Sequence, residues 1–361
     1  MMKIAIDAMG GDYAPTVVIE GITTALYDFP EHELVIVGHL AKLAYHLEKY
    51  GLSGHPRIRL VHAESVVEMS EPSTNALRGK KDSSITICAK LMKDREVDAI
   101  VSAGHTGAAV AATKVLVRTL PGIDRPALAA NIPSQTGRFI LMDAGANPDC
   151  EGANLVQFAL MGEIYAQYLF KSERPSIGLI SVGGEDIKGN DLTKGAFKMI
   201  SRLPINFVGN VEGDTIFEGA ADVMICDGFN GNVFLKCCEG MAKATMFWLK
   251  NAFSRNPLRM TGAMLAKNAF RELKTIGDAE ELGGVPLLGV NGICIIGHGS
   301  SSPRAVRNAI RVAIDMGKFG LNEKIARRIN ETGCQFAELK RQVAEIVGSH
   351  PNADSKAKES R

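Results

Sequence analysis

The chain carries almost no net charge: 41 Lys and Arg stand against 40 Asp and Glu, a formal +1. It lacks the basic tail or stripe that attracts polyanions, so nucleic acid is not an expected partner. No apolar run approaches the ~20 residues that span a bilayer. The opening MMKIAIDAMGGD places Asp7 where a secretory signal needs an apolar core. The seven cysteines (Cys88, Cys150, Cys226, Cys237, Cys238, Cys294, Cys334) are odd in number and have no C-x-x-C spacing. That usage excludes a disulfide framework and predicts a reduced, cytoplasmic setting. The eight histidines are dispersed, with no H-E-x-x-H and no Cys/His cluster, so no metal is expected.

What the chain does have is apolar mass: 361 residues, 46% of them hydrophobic. This suffices for a large core, in one catalytic unit over residues 1–345 built as one or two lobes. The polar stretch 346–361 lacks periodicity and reads as a disordered tail. Short β-branched apolar runs recur at 3–7, 33–38, 57–62, 97–104, 138–143, 176–182, 205–210, 222–227 and 292–297. Stretches of helical periodicity, such as 83–96 and 154–170, separate many of them. Continuous apolar strands alternating with helices predict an α/β fold with a mainly parallel, doubly wound sheet in three αβα layers.

Small and polar residues follow seven of these strands, as in AMGGD, HTGAA, ANPD, EDIKGND, VEGD, FNGNV and HGSS. Ligands bind at the carboxyl ends of strands in open parallel sheets, so the seven loops predict one shared polar cleft. The loop SAGHTG (102–107) stands where a buried strand hands over to a helix, a junction suited to an anion. It is neither a P-loop, since no Gly-Lys-Ser/Thr follows, nor G-x-G-x-x-G.

Taken together and in order, DAMGGD (7–12), KKDSS (80–84), SAGHTG (102–107), RPA (125–127) and DAGAN (143–147) resemble the bacterial phosphate acyltransferases. GGEDIKGN (183–190), GNVEGD (209–214), CDGFNGN (226–232) and PLLGVNG…HGSS (286–301) continue that order, so the resemblance covers about residues 3–315. It implies transfer of a fatty acyl group from acyl carrier protein to inorganic phosphate. The acyl phosphate formed would feed glycerol-3-phosphate acyltransferase and phospholipid synthesis, with no cofactor. It also implies a fold like the isocitrate and isopropylmalate dehydrogenases and the phosphotransacetylases, usually in a homodimer. Two positions depart from the family pattern: His105 stands where Asn is usual, and Ser181–Gly184 reads SVGG.

A thioester is already activated, so the protein has to position phosphate and stabilise a tetrahedral oxyanion. For phosphate, the candidates are the hydroxyls of Ser102 and Thr106 and the amides around Gly104 and Gly107, with His105 as a further donor. Lys188 is the candidate cation, against the alternative of a surface ion pair with Glu185 or Asp186. Asn232 is the candidate oxyanion donor, against the alternative of a helix N-cap. Asp7, Asp12 and Asp227 are expected one shell out as orienting groups, with Asn147, Asn190 and Asn210 as weaker polar supports. Cys226 or Cys237 as an acyl-enzyme nucleophile is the minor alternative, since neither has a nearby His in sequence.

Residues 253–275 place Leu258, Gly262, Leu265, Ala269 and Leu273 on one helical stripe, with Lys267, Arg271 and Lys274 largely opposite and Arg259 nearby. Such a helix either packs its stripe inside the protein or a dimer, or lies on an anionic membrane surface. With the resemblance, it predicts peripheral membrane contact at the inner face of the cell membrane, with the acidic carrier protein docking nearby. A coenzyme A-dependent phosphotransacetylase, a nicotinamide-dependent dehydrogenase of similar fold and a non-enzymatic binding module are the rival readings.

Overall fold

In the computed structural model, which describes residues 1–276 and 279–332, each of the nine apolar runs forms a strand. The first part of the chain runs β1 (Lys3–Asp7), α1 (Thr16–Asp28), β2 (Glu33–Gly38), α2 (Leu40–Lys49) and β3 (Ile58–His62). Then come α3 (Asn75–Arg78), α4 (Ser84–Lys93), β4 (Ala99–Ser102) and α5 (Thr106–Ala112), the last running into a π-helical turn at Thr113–Val117. The middle holds β5 (Ala127–Ser134), β6 (Gly137–Met142), α6 (Gly152–Phe170), β7 (Ser176–Ile180), α7 (Asp191–Ile200), β8 (Asn206–Val211) and β9 (Val223–Ile225). Three helices follow: α8 (Gly228–Phe253), α9 (Pro257–Leu265) and α10 (Lys267–Ile276). The last elements are α11 (Ala279–Leu282), β10 (Val285–Leu288), β11 (Ile293–Ile296) and α12 (Pro303–Phe319), with further helix over 321–332. The tail expected at 346–361 lies outside the described residues.

The eleven strands of the described residues join one sheet, in the order β3-β2-β1-β4-β11-β10-β5-β6-β9-β7-β8. Side chains alternate across it, as a strand's period of two requires. Ile4 and Ile6 of β1 and Leu34 and Ile36 of β2 enter one apolar cluster with α1, α6, α7 and α12. Ala5, Val35 and Val37 enter the other, with α4 and α5. Ile140 and Met142 of β6 repeat the first pattern, and Phe139 and Leu141 the second. Both faces are therefore covered, which explains why these strands are apolar throughout and gives the three-layer α/β fold. On the first face, α6 is buried on nearly every side over Ala153–Ala166, so it reads as apolar all round.

Two strands were not among the apolar runs, and they decide the topology. β10 pairs antiparallel with both β11 and β5, and β5 pairs antiparallel with β6. Strands β3, β2, β1, β4 and β11 are mutually parallel, and so are β6, β9, β7 and β8. Across three antiparallel pairings the second set runs opposite to the first. The single carboxyl edge expected for seven loops is thereby corrected to two. Loops after β1, β4 and β11 share one edge, and loops after β6, β7, β8 and β9 share the other.

The predicted continuous stripe over 253–275 is also corrected. The helix breaks at Ala266, whose φ of −81° and ψ of 6° end α9 before α10 begins. Phe253 and Phe270 meet edge to face at 5.3 Å, folding α10 back against the end of α8. Leu258 and Leu265 are 83% and 84% exposed, so neither packs inside this chain.

Candidate active site

On the first edge, the loop after β1 is held beside the loops after β4 and β11. The Asp12 amide donates to Gly299 O at 2.8 Å, and the Gly297 amide to Ser102 O at 2.8 Å. Gly10 is needed for this approach, because a Cβ there would stand 2.6 Å from Asp7 Oδ2 and 2.8 Å from the Gly104 nitrogen. Asp7 is buried beneath, and its Oδ2 accepts the Ser102 hydroxyl at 2.7 Å. The Gly104 amide donates in turn to Ser102 Oγ at 3.2 Å. Burial pushes the Asp7 carboxyl above its usual range, and hydrogen bonds from Ser84 and Ser102 offset only part of that shift.

His105 is the N-cap of α5. Its Nδ1 accepts the Ala108 amide at 3.2 Å, so the proton sits on Nε2, which donates to Glu71 O at 2.9 Å. Glu71 is fixed by Lys80, whose Nζ lies 2.8 Å from its Oε1 and holds its carboxyl below the usual range. The segment before α3 thus lies over the SAGHTG loop, where a Cβ on Gly107 would come within 2.9 Å of Ser73 Cβ. Of the predicted phosphate cradle, the Ser102 hydroxyl, the Gly104 amide and both His105 nitrogens are engaged internally. Thr106 is exposed, and the Thr106 and Gly107 amides lie in the first turn of α5.

On the second edge, Asp143 stands at the end of β6 and is fully buried. Its Oδ1 accepts the amides of Leu128, Gly145 and Ala146 at 2.9–3.0 Å. Its Oδ2 accepts the Asn147 amide and the Asn147 Nδ2 at 2.8 and 2.9 Å. Burial pushes this carboxyl up, and the surrounding N–H donors pull it part of the way back. Asn147 Nδ2 also donates to Pro126 O at 2.6 Å, so this predicted support is buried and structural.

The start of α8 packs on that loop. Asp227 caps the helix, its Oδ1 accepting the Asn230 amide at 2.9 Å and its Oδ2 the Asn230 side chain at 2.6 Å. A Cβ on Gly231 would overlap the Asp143 carbonyl, and one on Gly228 would stand 2.7 Å from Asp143 Oδ2. Asn232, the fifth residue of α8, is exposed just past the first turn, against Gly145. It is not the helix cap, since Asp227 has that place.

Lys188 lies in the loop after β7, the strand paired with β9. It is exposed and folds over Gly183, where a Cβ would stand 2.9 Å from Lys188 Cγ. Asn190 caps α7 by accepting the Thr193 amide at 2.9 Å. Asn210 Nδ2 donates to Glu185 O at 2.9 Å and braces the Lys188 loop from β8. Lys188, Asn190, Asn210, Asn147, Asp227 and Asn232 therefore share one edge, while Asp7, Asp12, Ser102, Gly104, His105, Thr106 and Gly107 share the other. Cys226 is buried and its thiol is pushed well above the usual range by burial, the reverse of an activated nucleophile.

The hub Asp143 was not singled out from the sequence, although it opens the DAGAN motif. The available signal was a lone acid directly after a buried strand and ahead of three small or amide residues. Lys80 likewise opens the KKDSS motif, but nothing in the sequence joins it to Glu71, because their pairing depends on how the segment between β3 and α4 folds back.

The chain and its fold have counterparts among known proteins. Residues 2–324 match the family described as "Fatty acid synthesis protein". A phosphate acyltransferase of Akkermansia muciniphila is 45% identical over 92% of this chain and 97% of its own length. One of Acidobacterium capsulatum is 46% identical over 90% of this chain and 96% of its own. Among solved structures, a phosphotransacetylase from Streptococcus pyogenes superposes with a TM-score of 0.58 at 17% identity, over 88% of this chain and 94% of that one. That likeness is one of fold. With the family match spanning β1 to α12 and such identity over nine-tenths of its length, the chain belongs to the phosphate acyltransferase family of enzymes.

Proposed function

We propose that this enzyme moves a fatty acyl group from the thioester of acyl carrier protein to inorganic phosphate, at the edge that holds Lys188 and Asn232. A phosphate oxygen attacks the thioester carbonyl carbon and forms the new C–O bond. The tetrahedral oxyanion then collapses, the C–S bond breaks, and the carrier thiolate takes a proton from solvent. The products are acyl phosphate and free carrier protein, suited to glycerol-3-phosphate acylation by a downstream acyltransferase in phosphatidic acid synthesis. The observation that carries this reading is that Lys188 follows β7 and Asn232 follows the neighbouring strand β9, near the start of the 26-residue α8. An exposed cation, an amide donor and the positive end of a long helix suit an anionic nucleophile and a developing oxyanion. The internal bonds of Ser102, Gly104 and His105 remove them from this centre. Thr106 and Gly107 retain donors for an anion at the other edge.

The test is acyl phosphate formation, trapped as hydroxamate, from purified protein, palmitoyl carrier protein and inorganic phosphate. Formation with the carrier donor, and less with palmitoyl-coenzyme A, is expected. A preference for coenzyme A would replace the carrier reading with a phosphotransacetylase-like one. A change in absorbance with NAD(P) and a hydroxy acid would point to a dehydrogenase.

The second part of the proposal concerns α9 and α10. Leu258, Met264 and Leu265 are exposed, and Arg259, Lys267 and Arg271 lie on the same two short helices. We assign this surface to peripheral contact with the inner face of the cell membrane, apolar side chains entering the interface and cations meeting anionic head groups. The carrier protein docks nearby, and a second copy completes a homodimer. Among the described residues, no helix is long and apolar enough to cross a membrane.

A further inference from the structure

We infer that Asp143 is a positioning residue for the reaction, holding Asn232 in place through the loop 143–147. This rests on the proposed role of Asn232. The chain of contacts is short. Asp143 gathers five N–H donors, from Leu128, Gly145, Ala146 and twice from Asn147, onto its two oxygens. An ionised carboxylate suits this crowd of donors, because it is acceptor-only on both oxygens and has no proton of its own to place. The bonds fix the backbone at Gly145, whose φ of +134° is a conformation that side-chain-bearing residues rarely adopt.

Asn232 rests directly on that glycine. A Cβ on Gly145 would stand 3.2 Å from Asn232 Cβ and 3.4 Å from its Cγ and Oδ1. The first turn of α8 is pressed onto the same loop. The Gly228 amide donates to Asn147 O at 2.8 Å, and Gly231 leaves room for the Asp143 carbonyl. The carboxylate thus sets both the surface under the Asn232 side chain and the helix turn that leads into it. It touches neither the substrate nor the reacting atoms in this reading.

Replacing one oxygen by an amide, Asp143→Asn, sets a donor against at least two N–H donors at nearly unchanged volume. The expected result is a fall in kcat of about 10- to 100-fold, as for a catalytic group displaced by roughly an ångström, with little change in KM for the carrier donor. The decisive measurement is the double-mutant cycle with Asn232→Ala. If Asp143 acts through Asn232, Asp143→Asn costs nothing further once Asn232 is gone. An equal loss in both backgrounds, or a loss confined to KM, overturns the positioning role. Should Asp143→Asn fail to fold, Gly145→Ala takes its place in the cycle, because it perturbs Asn232 with the carboxylate intact. A fall in kcat that needs Asn232 supports the inference, and one that does not overturns it. A wild-type rate in Asn232→Ala alone would instead remove Asn232 from the site, and the inference with it.

Discussion

Ser102 Oγ donates to Asp7 Oδ2 at 2.7 Å, joining the ends of two adjacent parallel strands, β4 and β1, across 95 residues of chain. The bond turns inward the hydroxyl that an anion loop would present outward. It also gives the buried Asp7 a donor it needs, since an unpaired buried carboxylate is costly. The same logic holds on the other edge, where Asp143 draws in the amides of its own loop. Each carboxylate builds a glycine-bearing turn, and neither is placed to meet a phosphate.

The Asp7 carboxyl carries a pH signature. Burial raises it above the usual Asp value of 3.8, so between the unfolded and folded pKa values the folded state holds a proton that the unfolded chain has released. Its contribution to stability is complete below the unfolded pKa and is lost as pH rises through the folded pKa. Asp7→Asn keeps an acceptor for Ser102 but has no such loss. Urea unfolding midpoints across a pH series from about 4 to neutrality are therefore expected to move against the wild type, relative to the variant, as pH rises. A gap that stays flat or moves the other way would refute this.

His105 is expected to matter for stability more than for chemistry. His105→Ala removes both the α5 cap and the bond to Glu71 O, and should destabilise the protein by about 0.5–2 kcal/mol. His105→Asn keeps a cap acceptor and should recover most of that, with turnover near wild type. A folded His105→Asn enzyme slowed by orders of magnitude would return the imidazole to the reaction.

For the membrane surface, Leu258→Glu with Leu265→Glu is expected to abolish co-flotation with anionic vesicles while leaving soluble turnover intact. Both side chains are more than four-fifths exposed, so the changes do not disturb a core. Undiminished flotation of the double variant would end the proposal for α9.

Nine strands, the helices α4 and α6 and the polar strand ends were legible because each rests on local pattern, a run of β-branched residues or a period near 3.6. Lys188 and Asn232 were legible as polar residues within the loop and the helix start that follow two such strands. β5 and β10 were not, since Ala127–Ser134 mixes Ala, Asn and Pro, and Val285–Leu288 is four residues with a proline. Neither has enough pattern to be read alone.

By itself, the sequence determined that this is a two-faced α/β sheet with glycine-rich, polar strand ends, because local apolar pattern and turn chemistry specify those features. Only the tertiary structure decided which ends meet. Three antiparallel pairings, made by two strands with little pattern of their own, reverse half the sheet and divide the seven loops between two edges. It also decided which donors remain free for a ligand. Whether Ser102 or Gly145 can offer a hydrogen bond depends on a carboxylate already claiming it, and for Ser102 that carboxylate comes from a distant strand.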